Sequence, residues 1–356
     1  MTAQTSSRGL AALWALLAAL LLTGGCSSGG APAARQDRIT LTYASPYPAA
    51  HPFSQADLAW MRHVTQASGG RVAFTPFWSG VLLSSDMSMT EIRHGVADVG
   101  LITPIYARGG AHLLRAQSGF YGGIRTIEDQ VSVYDCLAGQ FPDFGHELEG
   151  LTVLAVQGGN LPGVITRERP IRHLSDFRGL RLRAQSDAVD ILRSLGADPV
   201  NMPMAEVYSA MAKGVIDGVV APADTIRSLH FSEVGQYFTG VHFSRGAYPA
   251  RAISTRRFAR LPPDIQALLL QSRRVWEAEL ARRLQEAEQV GARFGQEEGM
   301  VFSNLPPAEQ ARFDALYMQF SAGQARALRR FGIDGEPILA AAQAAIHQNT
   351  CSGRAL

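Results

Sequence analysis

The sequence predicts an α/β protein with two lobes, and three observations lead to this prediction. Segments in which apolar and polar residues alternate, typical of half-buried strands, are repeatedly followed by apolar patterns of helical period. This succession indicates an α/β fold with largely parallel strands. It occurs in the first hundred residues and again after residue 150, which indicates two similar halves. With 356 residues, 46% of them apolar, the chain is long enough for two packed cores.

The same patterns assign individual elements. The predicted strands cover residues 38–45, 71–77, 96–103, 151–157, 179–185 and 215–222. The predicted helices cover residues 54–68, 89–96, 187–195, 205–214, 264–295 and 306–347. Gly196 and Gly214 directly follow or end helical patterns, where glycine is a typical stop signal.

The N-terminus has the features of an export signal. Arg8 precedes an apolar run at residues 10–22, which is too short to span a bilayer but suits the core of a secretory signal. The two glycines before Cys26 resemble a bacterial lipoprotein cleavage box, which implies a signal peptide at residues 1–26 and lipid attachment at Cys26. Residues 27–37 then form a tether. The alternative is an ordinary secretory signal; both place the chain outside the cytoplasm, and the lipoprotein reading anchors it to a membrane in the periplasm.

Two further cysteines, Cys136 and Cys351, remain in the mature chain. In an oxidising compartment they are able to form a disulfide. Two free thiols are the alternative, because spacing in sequence does not show whether two cysteines lie close together.

Composition and motifs exclude several classes of function. The formal charge is only +2, and no basic patch interleaved with aromatic residues appears, so nucleic acid is not a predicted partner. The chain has no nucleophile elbow, zinc-protease helix, phosphate-binding loop or dinucleotide fingerprint. We therefore predict a binding protein without a metal or cofactor. A periplasmic enzyme on an α/β scaffold is the alternative, because catalytic residues are assembled in space rather than in sequence.

The strand predicted at residues 179–185 carries two arginines on one face. Leu180 and Leu182 alternate with Arg181 and Arg183. Ligands of open α/β sheets bind beyond the carboxyl ends of strands, where an arginine offers two parallel N–H donors to a carboxylate. Period two treats the two arginines as equals, so the pattern alone leaves open which of them meets solvent.

A longer run around this strand resembles a known family. GLRLRAQSDAVDILRSLGADPVNMPMAEVYSAMAKGVIDG, residues 179–218, is similar to the signature region of the extracytoplasmic solute receptors of tripartite ATP-independent periplasmic (TRAP) transporters, dicarboxylate-receptor type. The characteristic elements are G-L-x-L-R, L-G-A-x-P, M-P-x-x-E-V-Y and G-V-x-D-G. The pieces HPFSQADLAW, SGGRVAFTPFWSG and EIRHGVADVG agree, as does F-x-x-L-P-P-D-I-Q, so the resemblance covers residues 39 to about 340.

The resemblance implies a two-lobed periplasmic binding protein with a hinge cleft and a long helix bracing both lobes. One lobe is expected from residues 38–166 and about 250–295, and the other from residues 167–249 and about 296–350. Such receptors bind a small organic acid and deliver it to the membrane subunits of a TRAP permease driven by an ion gradient. The alternative within the same fold is a receptor that presents its ligand to a sensor protein.

The resemblance also implies roles for three arginines. Arg183 occupies the place of the arginine that pairs with the substrate carboxylate. Arg169, which precedes a Pro-Ile pair, matches an arginine that assists. Arg181 matches a variable, outward position, so the two strand arginines are separated by resemblance and not by periodicity.

Four further positions are expected to adapt the site to its ligand. Ala221 stands where the family has an asparagine that contacts the acid, so this side-chain hydrogen bond is lost. We expect Arg245 to replace the asparagine or to recognise a second anionic group; exposure on a loop is the alternative. Met204 stands where the family commonly has phenylalanine, and it gives the site a softer and more adaptable wall. Thr103 lies at a position that varies with substrate, where it offers a hydroxyl to the ligand.

Overall fold

The computed structural model describes residues 38–348, apart from the side chains of Ser186 and Asp187, and these residues belong to one compact unit. The predicted signal peptide, Cys26, the tether and Cys351 lie outside the described residues. Within residues 38–348, none of the helices combines the length and the apolar character that a bilayer crossing requires.

The first sheet contains the N-terminal strands. Its members are β1 (Ile39–Ala44), β2 (Val72–Phe77), β3 (Val99–Leu101), β4 (Leu151–Gln157) and β10 (Tyr248–Ser254). They lie in the order β2-β1-β3-β10-β4. Strand β1 is parallel to β2 and β3, whereas β10 is antiparallel to β3 and β4. The alternation in β1 buries Leu41 and Tyr43 fully in the core.

The second sheet contains the strand with the two arginines. Its members are β5 (Gly163–Thr166), β6 (Arg181–Arg183), β7 (Asp198–Val200), β8 (Gly218–Ala221), β9 (Tyr237–Gly240) and β11 (Val301–Asn304). They lie in the order β11-β9-β5-β8-β6-β7. Strand β6 is parallel to β7 and β8, β11 is parallel to β9, and β5 is antiparallel to β8 and β9.

Helices surround both sheets. The α-helices of the described chain are α1 (Pro52–Ala67), α2 (Ser88–His94), α3 (His112–Ala116), α4 (Ile127–Gln140), α5 (Asp143–Glu147), α6 (Ser186–Ser194), α7 (Met204–Ala212), α8 (Asp224–Ser228), α9 (Thr255–Phe258), α10 (Pro263–Gln271), α11 (Arg273–Glu297), α12 (Pro307–Ala327) and α13 (Gly335–Gln348). Short 3₁₀ turns cover Pro104–Tyr106, Gln117–Phe120, Leu174–Phe177, Phe231–Glu233 and Leu328–Phe331. Each helix predicted from the sequence has a counterpart among these elements, and the last predicted region is divided between α12 and α13.

Two short segments carry the chain directly from a strand of one sheet to a strand of the other, and α9–α11 carry it a third time, from β10 to β11. Residues 158–162 lead from β4 to β5, and residues 241–247 lead back from β9 to β10. The strand after each crossing enters its sheet from the other lobe and runs antiparallel to its neighbours. The expectation of largely parallel strands is wrong for β5 and β10 for this reason, and both sheets are mixed. Strand β5, within the span 38–166 expected for the first lobe, pairs in the second sheet.

The long helix predicted at residues 264–295 is divided at Ser272 into α10 and α11. The Ser272 hydroxyl donates to the Leu269 carbonyl at 2.8 Å and accepts a hydrogen bond from the Trp60 indole at 2.7 Å. A serine hydroxyl that bonds back to its own helix competes with the backbone ladder and bends the helix there.

Helix α11 braces both lobes. It packs against α1 and β4 on the side of the first sheet and against α8 on the side of the second sheet. A Cβ on Gly291 would overlap the Ala223 carbonyl, so only glycine permits α11 to come this close to the start of α8. One apolar core accordingly continues from Leu41 through the fully buried Trp276 to Val219 in the second sheet.

Cys136 lies in α4 and is disulfide-bonded. Cys351, the other cysteine of the predicted pair, lies outside the described residues, so the pairing of Cys136 with Cys351 stays a prediction.

Candidate binding site

A cavity of about 50 Å³ lies between the two lobes. Its wall is largely aromatic and apolar: Tyr47, Phe53, Ile105, Tyr106, Pro162, Ala188, Met204, Val220, Pro222, Leu229, Phe243, Tyr248 and Leu284. Polar residues complete it: His51, Gly159, Asn160, Gln185, Asp224, Thr225, Ser244 and Arg245. Since a single water needs roughly 10–15 Å³ of such volume, the cavity suits a small molecule.

Both crossing segments contribute to the cavity wall. Gly159 and Asn160 belong to the first crossing, and Ser244 and Arg245 belong to the second. A Cβ on Gly159 would overlap the guanidinium of Arg245, so any other residue at this position would force the arginine side chain to move. Because the crossings line the cavity, any rotation of one lobe against the other alters its shape.

Arg183, at the carboxyl end of β6, is fully buried directly behind this wall. Its Nε donates to the Met202 carbonyl at 3.0 Å, one terminal nitrogen donates to the Val220 carbonyl at 3.4 Å, and the other donates to the Tyr106 hydroxyl. The guanidinium also lies 5.6 Å from the centroid of the Tyr106 ring. Val220 and Tyr106 line the cavity, so Arg183 is separated from it only by its own hydrogen-bond partners.

The ionic surroundings of Arg183 differ from those of Arg251, which is also buried. Arg251 forms two hydrogen bonds with the Asp57 carboxylate, at 2.7 and 3.0 Å, and lies over the Trp276 ring. Among the described residues, no carboxylate lies within 4.0 Å of the Arg183 guanidinium. A buried charge without a counterion is unfavourable by several kcal/mol, so Arg183 is poised to take an anion.

Arg245 lies on the cavity side of the second crossing. One of its terminal nitrogens donates to the Asn160 carbonyl at 3.1 Å. The Asn160 amide in turn donates to the Asp224 carboxylate and to the Leu284 carbonyl, both at 2.8 Å. These bonds connect the two crossings to each other, to α8 and to α11.

Two carboxyl groups lie next to this connection. Burial raises the pKa of Asp224 to about 6, although the charge of Arg245 and the hydrogen bond from Asn160 both lower it. The Glu288 carboxylate accepts hydrogen bonds from the backbone N–H groups of Ala223, at 3.2 Å, and Asp224, at 2.9 Å. Burial, together with the charge of Asp224, raises the pKa of Glu288 to about 7.

Hydrogen bonds orient the hydroxyl of Tyr248. The Gln157 carbonyl oxygen accepts from Arg251 at 2.7 Å, so its amide nitrogen faces Tyr248 and donates to the hydroxyl at 2.7 Å. The Tyr248 oxygen is therefore an acceptor there, and its own proton is free to be donated elsewhere. Burial raises the pKa of Tyr248 to about 12, so the proton is present at neutral pH.

His51 is a neutral member of the wall. Its Nδ1 accepts a hydrogen bond from the Phe53 backbone N–H at 3.2 Å, which places the ring proton on Nε2. Burial lowers the pKa of His51 to about 3, and the charge of Arg251 lowers it further. The cavity therefore gains no positive charge from this residue near neutral pH.

The structure brings three of the predicted site residues to the cavity region. Met204 and Arg245 line the cavity, and Arg183 lies behind the wall. Ala221 is fully buried in β8, while its neighbours Val220 and Pro222 line the cavity.

Two more predicted site residues, Thr103 and Arg169, also do not line the cavity. The Thr103 hydroxyl is buried and bonds within its own lobe, to the Ser88 hydroxyl at 3.1 Å and to the Ser85 carbonyl. Arg169 is exposed and donates to the Arg178 carbonyl at 2.8 Å. Arg181 is exposed as expected, 3.4 Å from Asp198.

Sequence analysis did not identify Tyr106, Asp224, Ser244 and Tyr248 as site residues. Ser244 and Tyr248 flank the predicted Arg245 in the run FSRGAY, so their proximity to it was a usable signal. Tyr106 and Asp224 had no such signal, because each follows a strand end by several residues. Among the described residues, no group of three or more His, Cys, Asp or Glu side chains is arranged to hold a metal ion.

Two lobes joined by crossings that line a cavity, with an arginine buried behind its wall, define a two-lobed solute-binding protein. The profile of the DctP family, bacterial extracellular solute-binding protein family 7, matches residues 43–321, and the chain belongs to this family. The resemblance carried by residues 179–218 is thereby confirmed, and so is a location outside the cytoplasm.

Two curated relatives are similar over part of their length. A solute-binding protein of Roseobacter denitrificans is 35% identical over 114 residues, which is 31% of this chain and 34% of that protein. The 2,3-diketo-L-gulonate-binding periplasmic protein YiaO of Escherichia coli is 29% identical over 128 residues, which is 35% of this chain and 39% of that protein. The matched segments thus span less than two fifths of either relative.

A solved structure has the same fold. A TRAP solute-binding protein of Rhodoferax ferrireducens T118, in complex with copurified benzoate, superimposes with a TM-score of 0.80 at 21% identity. The match covers 87% of this chain and 98% of that chain. The predicted fold, a two-lobed α/β binding protein with a hinge cleft and a long bracing helix, is confirmed by this likeness and by α11.

Proposed function

We propose that this protein is an extracytoplasmic receptor that binds a small organic acid and delivers it unchanged to the membrane subunits of a TRAP permease. The observation that carries the proposal is Arg183, a fully buried guanidinium behind the cavity wall with no carboxylate partner among the described residues. An acid bound there supplies the missing negative charge, and charge-assisted hydrogen bonds to it are the strong ones in a desolvated site.

The relatives support a carboxylate ligand. The Rhodoferax protein holds benzoate, and YiaO is a 2,3-diketo-L-gulonate-binding protein; both compounds carry a carboxylate. Membership of a family of solute-binding proteins supports transport rather than catalysis. We infer that this chain has no enzymatic activity toward its ligand.

Among the predicted site residues, we propose that Arg183 and Arg245 bind the acid and that Met204 forms part of its apolar wall. Arg245 takes over from the asparagine that Ala221 replaces. Arg169 and Thr103 are proposed to act only through the structure around them, because their polar groups are engaged elsewhere.

Ligand binding is proposed to close the two lobes. Tyr106 belongs to the turn after β3 in the first lobe, and Arg183 belongs to β6 in the second lobe, so their hydrogen bond spans the cleft. An acid that contacts both residues favours the closed arrangement by its differential affinity for it. We also propose that a signal peptide, residues 1–26, ends at Cys26 and that lipid on Cys26 holds the receptor at the membrane.

The test uses the chain from residue 27 onward, from which bound small molecules are released by denaturation and identified by mass spectrometry. The released acid is titrated calorimetrically against Arg183→Gln, Arg183→Lys and the control Arg181→Gln, an exposed arginine on the same strand. Loss of charge-assisted hydrogen bonds, about 1.5–3 kcal/mol each, predicts roughly 10- to 150-fold weaker binding for Arg183→Gln.

The control variant is expected to bind like the wild type, and the acid is expected to be recovered chemically unchanged after incubation. Arg183→Lys keeps the positive charge but lacks the parallel N–H donors of a guanidinium. Its affinity is therefore expected to lie between those of the wild type and Arg183→Gln. Wild-type affinity in both Arg183 variants, with the fold intact by circular dichroism, is the outcome that rules out the carboxylate site.

A further inference from the structure

The cavity wall of this proposed anion receptor includes an acidic side chain. Asp224 is only 6% exposed and lines the cavity. Its Oδ2 accepts from the Asn160 amide at 2.8 Å, and that amide nitrogen also donates to the Leu284 carbonyl at 2.8 Å. Among the described residues, Asp224 Oδ1 has no hydrogen-bond donor. Asp224 is thus held in place with one carboxylate oxygen available as an acceptor.

A second polar group at the same wall has no partner. The Ser244 Oγ is buried and makes no hydrogen bond to any described residue. Ser244 lines the cavity from the second crossing, next to Arg245. Buried hydroxyls are hydrogen-bonded in the great majority of cases, so an orphan hydroxyl on a residue that lines the cavity points to a ligand atom that completes it.

The charged residues around the cavity favour a ligand with one carboxylate. Arg183 and Arg245 contribute two positive charges, and Asp224, which lines the cavity, contributes one negative charge. Glu288 accepts a hydrogen bond from the Asp224 backbone N–H, and its pKa of about 7 adds a partial negative charge there at pH 7.5. His51 is neutral, and the pKa of Asp224, about 6, leaves it ionised at pH 7.5. The remaining positive charge is therefore at most one, which one carboxylate neutralises, whereas a second carboxylate would be repelled by Asp224 in a low-dielectric site.

We propose that the ligand is a monocarboxylate that carries a hydroxyl group, whose oxygen is read by Ser244 and Asp224 while Arg183 and Arg245 hold the carboxylate. The ligand hydroxyl donates its proton to Asp224 Oδ1 and accepts the proton of Ser244 Oγ. Asp224 also excludes dicarboxylates. The inference rests on the proposed function and deepens it, because it names the class of acid. It also decides between the two roles predicted for Arg245 in favour of replacing the asparagine.

The test compares acids that differ by one group, by calorimetry at pH 7.5 with the chain from residue 27 onward. The probes are lactate against propanoate, mandelate against phenylacetate, and malate against succinate, together with the acid released from the purified protein. At least one hydroxylated monocarboxylate is expected to bind ten-fold or more tightly than its deoxy partner, and both dicarboxylates are expected to bind at least ten-fold more weakly than it.

The variants Ser244→Ala and Asp224→Asn are expected to reduce the hydroxyl preference below three-fold. Because Asp224→Asn removes a negative charge beside the bound anion, it is also expected to strengthen the binding of the deoxy acid and of dicarboxylates, which Ser244→Ala does not. The matched control is Ser228→Ala, because Ser228 also has a buried orphan hydroxyl but does not line this cavity.

The outcomes separate this inference from the proposed function. Tight binding of a dicarboxylate, equal affinity within the preferred pair, or release of an acid without a hydroxyl group overturns the inference and leaves the carboxylate receptor standing. If none of the probes binds, a released hydroxymonocarboxylate supports the inference, and the absence of any bound or released carboxylate overturns both proposals.

Discussion

Arg183 and Arg251 are both buried, but their surroundings differ. Those of Arg251 indicate a structural role, and those of Arg183 favour the proposed role in binding. The charge of Asp57 holds Arg251 ionised, and the pKa of Arg251 is raised even though burial lowers it. Arg251 links α1, β4 and α11 through Asp57, Gln157 and the Trp276 ring. Arg183 is bound only to neutral oxygens, so among the described residues it lacks the carboxylate partner that Arg251 has.

At the residue scale, the carboxyl groups of Asp224 and Glu288 predict a stability that falls as pH rises from about 4 to 7. Burial raises both pKa values, from 3.8 to about 6 and from 4.5 to about 7. In this range the folded chain holds protons that the unfolded chain has released, so each rise in pH disfavours the folded state. One raised pKa of this size corresponds to at most roughly 3 kcal/mol, and the two groups interact, so their effects do not add.

Urea denaturation between pH 4 and 8 measures this dependence. Glu288→Gln is expected to flatten the fall in the free energy of unfolding, although its amide group replaces one of the two oxygens that accept from the backbone N–H groups of Ala223 and Asp224. Glu286→Gln, exposed on the same helix, is the control and is expected to retain the wild-type slope. An unchanged slope in Glu288→Gln would contradict the assignment of the dependence to this pair.

At the element scale, strand ends place the site. Tyr106 follows β3, Gln185 follows β6, and Pro222 follows β8, and all three line the cavity. This agrees with the rule that ligands bind beyond the carboxyl ends of strands in open sheets. The rule made an anion site near Arg183 predictable. It did not reveal the crossings, because β5 was not recognised as a strand and the antiparallel entry of β10 follows from tertiary pairing.

The first crossing carries a second prediction. Gly159→Ala places a Cβ against the guanidinium of Arg245, which has to move. Binding of the released acid is therefore expected to weaken by about 10-fold, since one charge-assisted hydrogen bond contributes roughly 1.5–3 kcal/mol.

The control for this prediction is Gly139→Ala in α4, where a Cβ meets nothing within 4 Å. It is expected to bind like the wild type and to be stabilised by roughly 0.5–1 kcal/mol, because alanine favours the helix over glycine. Calorimetry and urea midpoints measure both effects. Wild-type affinity in Gly159→Ala would show that Arg245 is not positioned by this contact.

At the scale of the whole molecule, α11 and the two crossings join the two lobes. The apolar core through Trp276 keeps α11 attached to both sheets, so the proposed closure is expected to change the cleft more than the core. The extracellular family places this molecule outside the cytoplasm. We propose that a lipid anchor holds it at the membrane there, beside the permease.

Lipid on Cys26 predicts that the mature protein fractionates with membranes and requires detergent for release. Each buried methylene of an acyl chain contributes about 0.8 kcal/mol to membrane binding. Intact-mass spectrometry is expected to find a lipid-modified N-terminal Cys26 in the wild type and no lipid in Cys26→Ser. A soluble, unmodified mature chain in the wild type would instead identify an ordinary secretory signal.

The sequence by itself determined the α/β class, the strand with its arginines and the family, because these depend on local periodicity and on short runs of fixed spacing. Only the tertiary structure decided which polar groups share the cavity. Arg183 meets Tyr106 across 77 residues, and Asn160 meets Asp224 across 64 residues. Such contacts form only when the crossings bring strand ends of both lobes together, so no local pattern encodes them. Arg169 and Thr103 matched expected positions, yet their polar groups bind Arg178 and Ser88, which lie only 9 and 15 residues away in sequence, because nearby chain segments offer these partners without any contact between the lobes.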